Sequence, residues 1–130
     1  MKILFVDDDA MNRRVVKDML SVVGAQMDEA ECGESGLLKV EGGDYQVILM
    51  DLRMPGMDGL TATRLIRERA DSKAQVPIIV VTADTSGDLA ERCASAGADR
   101  VLMKPVAMAS LIDTIGELMA RNTSAGLILH

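Results

Sequence analysis

Tryptophan is absent from this chain, and phenylalanine and tyrosine occur once each. A core built from it must be filled by Leu, Ile, Val, Met and Ala. Histidine also occurs once, as His130 at the last position. That excludes a Ser/His/Asp triad, a zinc site built on histidines, and a phosphohistidine inside a folded domain. The two cysteines, Cys32 and Cys93, lack metal-ligand spacing and read as reduced thiols of a cytoplasmic protein. Positive charge is scarce: 14 Lys and Arg face 20 Asp and Glu, for a net charge of −6. Direct nucleic-acid binding and attachment to an anionic membrane, which need basic patches, are not expected. No apolar run approaches transmembrane length. The opening Met1–Val6 is too short for a secretory leader and runs into three aspartates, so no leader is expected.

The 130 residues, 48% of them apolar, suit a single domain with a core of its own. Short apolar runs ended by turn residues predict strands buried on both faces. They fall at Ile3–Val6, Val47–Met50, Val76–Val81 and Arg100–Met103, with a weaker edge strand at Gln26–Glu31. Between them, apolar residues recur at helical spacing. Val15, Val16, Met19, Leu20 and Val23 mark one helix, with Asp9 as N-cap and Gly24 as stop. Leu37, Leu38 and Val40 mark a second, begun near Gly33 and Gly36 and ended by Gly42-Gly43. Leu60, Thr63, Leu65 and Ile66 mark a third over 59–70, with Arg64, Arg67, Glu68 and Arg69 in solvated positions and a loop at 71–73. Residues 86–96 form a thin helix of mostly small side chains, and Leu111, Ile112, Ile115, Leu118 and Met119 mark a last one over 107–121. Residues 122–130 read as a tail after a domain at 1–121. The alternation βα, five times, predicts an α/β fold with a parallel sheet covered by helices on both sides.

In such a sheet every carboxyl end lies on one edge, where ligands bind. Asp7 and Asp8 end the first strand, Asp51 the third, Thr82 the fourth and Lys104 the fifth. Singly, each has a plainer reading. Asp51 is a turn residue, Asp7–Asp9 an acidic loop with a helix cap, Thr82 a β-branched strand residue, Lys104 a solvated lysine. Their joint placement is what those readings leave unexplained. Crowded carboxylates require a cation, and oxygen ligands favour a hard one such as Mg²⁺. A carboxylate beside such an ion can act as a nucleophile toward phosphorus. Lys104 and the Thr82 hydroxyl can then hold phosphoryl oxygens.

The segments Val6-Asp7-Asp8, Met50 to Gly59, Val81-Thr82-Ala83, Ala96-Gly97-Ala98 and Lys104-Pro105 together resemble the receiver domain of two-component response regulators. The resemblance covers residues 1 to about 121. It implies a doubly wound, flavodoxin-like sheet of five parallel strands in the order 2-1-3-4-5, with five helices. It implies that Asp51 accepts a phosphoryl group from a phosphohistidine on a sensor histidine kinase or a histidine phosphotransfer domain. Asp8 and Asp51 would bind Mg²⁺ directly and Asp7 mainly through water, with the main-chain carbonyl of Arg53 completing the ligands. Thr82 and Lys104 would contact the phosphoryl group, and the Lys104-Pro105 bond is expected to be cis. A downstream protein would read the switch, and a homodimer through the 86–121 face is a further expectation. One departure stands out. Many family members have an aromatic three residues before the lysine, and this chain has Val101. An aromatic rotamer cannot be its readout, which leaves Thr82 and the 83–97 segment, or another surface. Arg53 and Asp84 occupy variable positions flanking the site, which in the family tune the lifetime of the acyl phosphate.

Two other readings use the same residues. One is a Mg²⁺-dependent phosphatase or phosphotransferase working through an aspartyl phosphate. Arg53, where such an enzyme would need a second acid two positions after Asp51, and the lack of a cap domain weigh against it. The other is a binding module that is never phosphorylated, against which the intact acid cluster argues. The chain is therefore expected to be a switch that catalyses only its own phosphorylation and dephosphorylation.

Overall fold

The computed structural model describes residues 1–128, and side chains through Arg121. The elements are β1 (Lys2–Val6), α1 (Ala10–Val22), β2 (Gln26–Ala30), α2 (Gly33–Gly42), β3 (Val47–Asp51), α3 (Gly59–Arg67), β4 (Ile78–Thr82), α4 (Leu89–Ala96), β5 (Arg100–Met103) and α5 (Met108–Ile128), with a short 3-10 turn at Ser72–Gln75. The five strands form one parallel sheet in the order β2-β1-β3-β4-β5, the doubly wound, flavodoxin-like fold. The weakest strand, β2, lies on the edge.

Strand alternation divides the apolar residues between two layers. Ile3, Phe5, Val47, Leu49, Ile79 and Val81 pack with Val16 and Leu20 of α1 and Leu111 of α5. Leu4, Val6, Ile48, Met50 and Ile78 pack with Val40 of α2 and Ile66 of α3. A smaller cluster joins Val80, Leu52 and Leu60 to Leu89, Cys93 and Ala96 of α4, with Val101 packed against it. Because both faces of the central strands are covered, their sequences read as unbroken apolar runs.

Several elements differ from what periodicity predicts. β4 begins at Ile78 rather than Val76, because Pro77 has no N–H and Val76 caps the preceding 3-10 turn. α4 begins at Leu89 rather than 86, since Asp84 holds the N–H and the hydroxyl of Ser86 in a turn of their own. α3 stops at Arg67 instead of 70, and the expected loop at 71–73 is the 3-10 turn. α5 runs over Met108–Ile128 instead of ending at 121. Of the tail expected over 122–130, residues 129 and 130 lie outside the described residues. Val15, Val23 and Leu38, expected in the core, are exposed, because α1 and α2 each turn only one stripe toward the sheet.

Arg67 is the largest correction. Instead of a solvated position it occupies a partly buried one beneath the amino ends of β4 and β5. Its Nε donates to the Gly97 carbonyl at 2.8 Å, and Nη1 to the carbonyls of Ala74 and Val76 at 2.8 and 2.6 Å. Nη2 pairs with Asp99 Oδ2 at 3.0 Å. Gly97 ends α4 with φ of 105°, and a Cβ there would lie 2.6 Å from Arg67 Cγ, so glycine is required on both counts. No helix among the described residues is long and apolar enough to cross a membrane.

Candidate functional site

Register brings the site together. Val6 pairs with Met50, so the next residues, Asp7 and Asp51, leave adjacent strands at one level. Thr82 pairs with Met103, and the Lys104 N–H then donates to the Thr82 carbonyl at 2.8 Å. The alternation that turns Val47 and Leu49 toward α1 and α5 turns Asp51 the same way. The Lys104-Pro105 bond is cis.

Asp7 and Asp51 are buried and Asp8 is exposed, and each offers a carboxylate oxygen within 4.8 Å of the others. The Lys104 ammonium reaches in, 3.0 Å from Asp51 Oδ1 and 3.2 Å from Asp7 Oδ2. The first contact is a hydrogen bond. The second is an ion pair, and among the described residues Asp7 Oδ2 is buried without a partner in hydrogen-bond geometry. Asp7 Oδ1 accepts the Asp9 N–H at 2.8 Å. One ammonium thus faces three carboxylates. Burial pushes the Asp51 carboxyl up to about 6, the Lys104 hydrogen bond pulls it back, and the neighbouring Asp7 and Asp8 charges add to the rise. Burial works against the charge of Lys104, yet Asp51 and Asp7 outweigh it and hold the ammonium above its ordinary value.

This donor set fits a hard divalent cation: it is all oxygen, in excess over its one counter-charge, and has a buried oxygen with no hydrogen-bond partner among the described residues. The aspartate cluster is capable of coordinating such an ion.

Thr82 is buried, and its Oγ accepts the Asp84 N–H at 3.0 Å. That uses a lone pair and leaves the hydroxyl proton free to donate. Asp84 anchors the loop that follows. Its carboxylate accepts from Ser86, pairs with Arg53 at 2.9 Å and lies 3.4 Å from Arg92 of α4. The Ser86 hydroxyl and N–H, with the Arg53 guanidinium, hold it well below the usual carboxylate range. The Arg53 side chain points outward, 77% exposed, across a groove that also takes in Asp58, Asp84 and Arg92. Asp7, Asp51 and Lys104 therefore meet directly with Asp8 close by, Thr82 stands at the next strand end, and the Arg53 side chain lies apart from the cluster.

Sequence reasoning passed over Arg13. Its Nη1 donates to the Asp7 main-chain carbonyl at 2.6 Å, and its Nε to Glu29 Oε1 at 3.0 Å. A cation on a helix gave no sign of this in the sequence, since the spacing alone allows a solvated position.

The family model of the response regulator receiver domain matches residues 3–116. Among solved structures, the chain resembles the receiver domain of sensor histidine kinase PA1611 from Pseudomonas aeruginosa PAO1, which has a magnesium ion coordinated in its active site cleft. The TM-score is 0.83 and the identity 35%, over 92% of this chain and 97% of that one. Among curated proteins, hybrid signal transduction histidine kinase G of Dictyostelium discoideum is 37% identical over 113 residues, 85% of this chain but 3% of its own length. Transcriptional regulatory protein ResD of Bacillus subtilis is 38% identical over 122 residues, 92% of this chain and 48% of its own. The chain thus spans only a small part of the long kinases it matches and about half of ResD.

Proposed function

This chain belongs to the response regulator receiver domain family, and from that premise we propose that Asp51 is the phosphoacceptor of a two-component phosphorelay. Receiver domains act as sites of phosphorylation and dephosphorylation rather than as enzymes with a separate substrate. The observation that carries the assignment is the contact of one ammonium, Lys104, with both Asp7 and Asp51, leaving an excess of buried carboxylate.

In the forward step an Asp51 carboxylate oxygen attacks phosphorus. The nitrogen–phosphorus bond to the donor histidine breaks, an oxygen–phosphorus bond forms, and the imidazole leaves as a neutral group once it holds one proton. Lys104 exchanges part of its contact with Asp51 for a phosphoryl oxygen, and the Thr82 hydroxyl donates to another. Asp8 and Asp51, with Asp7 through water and the Arg53 main-chain carbonyl, are the groups that would hold Mg²⁺, which supplies neutralising charge for phosphoryl transfer. Hydrolysis reverses the state: water attacks phosphorus and Asp51 leaves as a carboxylate.

The phosphoryl donor in this reading is the phosphohistidine of a sensor histidine kinase or a histidine phosphotransfer domain. The likeness to histidine kinases supports that choice. A cytoplasmic location belongs to the same reading. The phosphoryl group adds nearly two negative charges beside Thr82 and Lys104. Since Thr82 accepts from Asp84 and Asp84 is tied to Arg92, movement of Thr82 is passed to α4. The output surface is then the 86–121 face, where Met103 is exposed, for a downstream protein or a second copy of the chain.

Acetyl phosphate with Mg²⁺ tests the assignment. The wild-type protein should gain one phosphoryl group by mass, and Asp51→Asn none. Undiminished labelling of Asp51→Asn would refute Asp51 as the acceptor.

A further inference from the structure

We infer that Arg13 is a positioning residue for the acidic site, an inference that rests on the metal-dependent reading above. Arg13 lies on the first turn of α1, and its side chain is only 14% exposed. Its two contacts join different parts of the fold. Nη1–H donates to the Asp7 carbonyl at 2.6 Å, and Nε–H to Glu29 of β2 at 3.0 Å.

The Asp7 carbonyl belongs to the peptide unit that joins Asp7 to Asp8. That unit is planar, so fixing the carbonyl direction fixes the plane from which the Asp8 side chain departs. The Asp7 N–H is already held by the Ala30 carbonyl at 3.0 Å. With Arg13 on the other side, Asp7 is clamped to the end of β2 through both of its main-chain groups. Asp7 needs this less for itself, since its carboxylate is buried and accepts from Asp9. Asp8 needs it more. It is exposed, yet its carboxylate must stay within reach of Asp7 and Asp51 to share a cation. Arg13 therefore reduces the freedom that Asp8 would lose on binding a divalent ion.

Charge and geometry predict opposite results, which makes the inference decidable. Arg13 is a cation beside a cation site, so deleting its charge should by itself strengthen binding of a dication. If its carbonyl contact matters more, deletion should weaken binding. Lys17 is the control, because it pairs with the same Glu29, at 3.4 Å, and has no contact with Asp7.

The test is calorimetric titration of the whole chain with Mg²⁺ alone. Arg13→Met should bind roughly tenfold more weakly than wild type, and Lys17→Met should match wild type. Labelling of Arg13→Met by acetyl phosphate should be slow at limiting Mg²⁺ and recover at saturating Mg²⁺, a pattern that a generally loosened fold would not give. Equal or tighter Mg²⁺ binding by folded Arg13→Met overturns the inference. Should that variant fail to fold, Arg13→Lys carries the test: it keeps the charge but replaces the two nitrogens that hold Asp7 and Glu29 separately by a single ammonium, and wild-type affinity in it overturns the inference equally. Absence of Mg²⁺ binding by the wild-type protein is a separate result, and it would defeat the metal-dependent reading itself.

Discussion

At the amino ends of β4 and β5, the Arg67 guanidinium donates to three carbonyls and to Asp99, and Asp99 also accepts the Ile78 N–H at 2.9 Å. At the carboxyl ends of the same sheet, Lys104 meets two carboxylates with a third close by, and Asp7 Oδ2 has no hydrogen-bond partner among the described residues. Both clusters bury charge and both join distant parts of the chain. The first is complete: each of its acceptors has a donor, and its cation is matched by an anion. The second has too few donors for its oxygens. A buried charge with all its partners present stabilises one arrangement. A cluster short of positive charge stores unfavourable energy that a cation or a phosphoryl group can relieve. The difference between the two ends is the difference between a fastening and a site.

That contrast breaks most visibly at Arg67. Arg67→Met leaves three carbonyls without this donor and takes from the Asp99 carboxylate its most buried cation, leaving it the Ile78 N–H and the outer Arg121, and should cost about 4 kcal/mol in urea unfolding. Burial already draws the guanidinium below its ordinary value, against the pull of Asp99. Mg²⁺ affinity of the fraction still folded should stay at the wild-type level. A large loss of Mg²⁺ binding without loss of stability would mean that the two ends are not separable.

The carboxyl end should show the opposite sign, because there the charge is a burden. Folding raises the Asp51 carboxyl from 3.8 to about 6. Between those values the folded chain holds a proton that the unfolded chain has released. The stability contributed by this group is therefore full below 3.8 and is lost as pH rises through about 6. In the presence of a chelator, wild type should lose on the order of 3 kcal/mol relative to Asp51→Asn between pH 3.5 and pH 7.5. Thermal or urea unfolding of the pair at several pH values measures it. A constant difference between the two proteins across that range would show that Asp51 is not strained by its burial.

The carboxyl end was also the more legible in the sequence. Asp7, Asp51, Thr82 and Lys104 each follow directly on an apolar run, so finding the strands finds the residues. Val47 to Met50 is buried on both faces and could hardly be anything but a central strand. The amino end was hidden. Arg67 falls at the end of a helix among other charged residues, where solvent is the ordinary expectation. Its partners, Ala74, Val76, Gly97 and Asp99, come from two later segments, and three of the contacts are to carbonyls, which no side-chain pattern marks. Arg13 was hidden for the same reason. The start of α4 was obscured differently: Asp84 and Ser86 form a local turn whose bonds compete with the helix. Side chains that gather metal or phosphate are few in kind and sit at strand ends, whereas main-chain acceptors exist everywhere.

The smallest effect expected is also at the amino end, on the carboxylate that Arg67 serves. Arg121 of α5 reaches Asp99 Oδ1 at 3.3 Å, but its side chain is 55% exposed, against 21% for Arg67. The two arginines have the same partner and differ in solvent. Water competes with the outer contact, and holding a long side chain in place costs entropy that the pair barely offsets. Arg121→Met should therefore change stability by less than about 0.5 kcal/mol. In a double-mutant cycle with Asp99→Asn, the coupling energy of Arg67 should exceed that of Arg121 several-fold. Equal couplings would mean that proximity to Asp99, and not the completeness of the inner cluster, sets the strength of this end of the sheet.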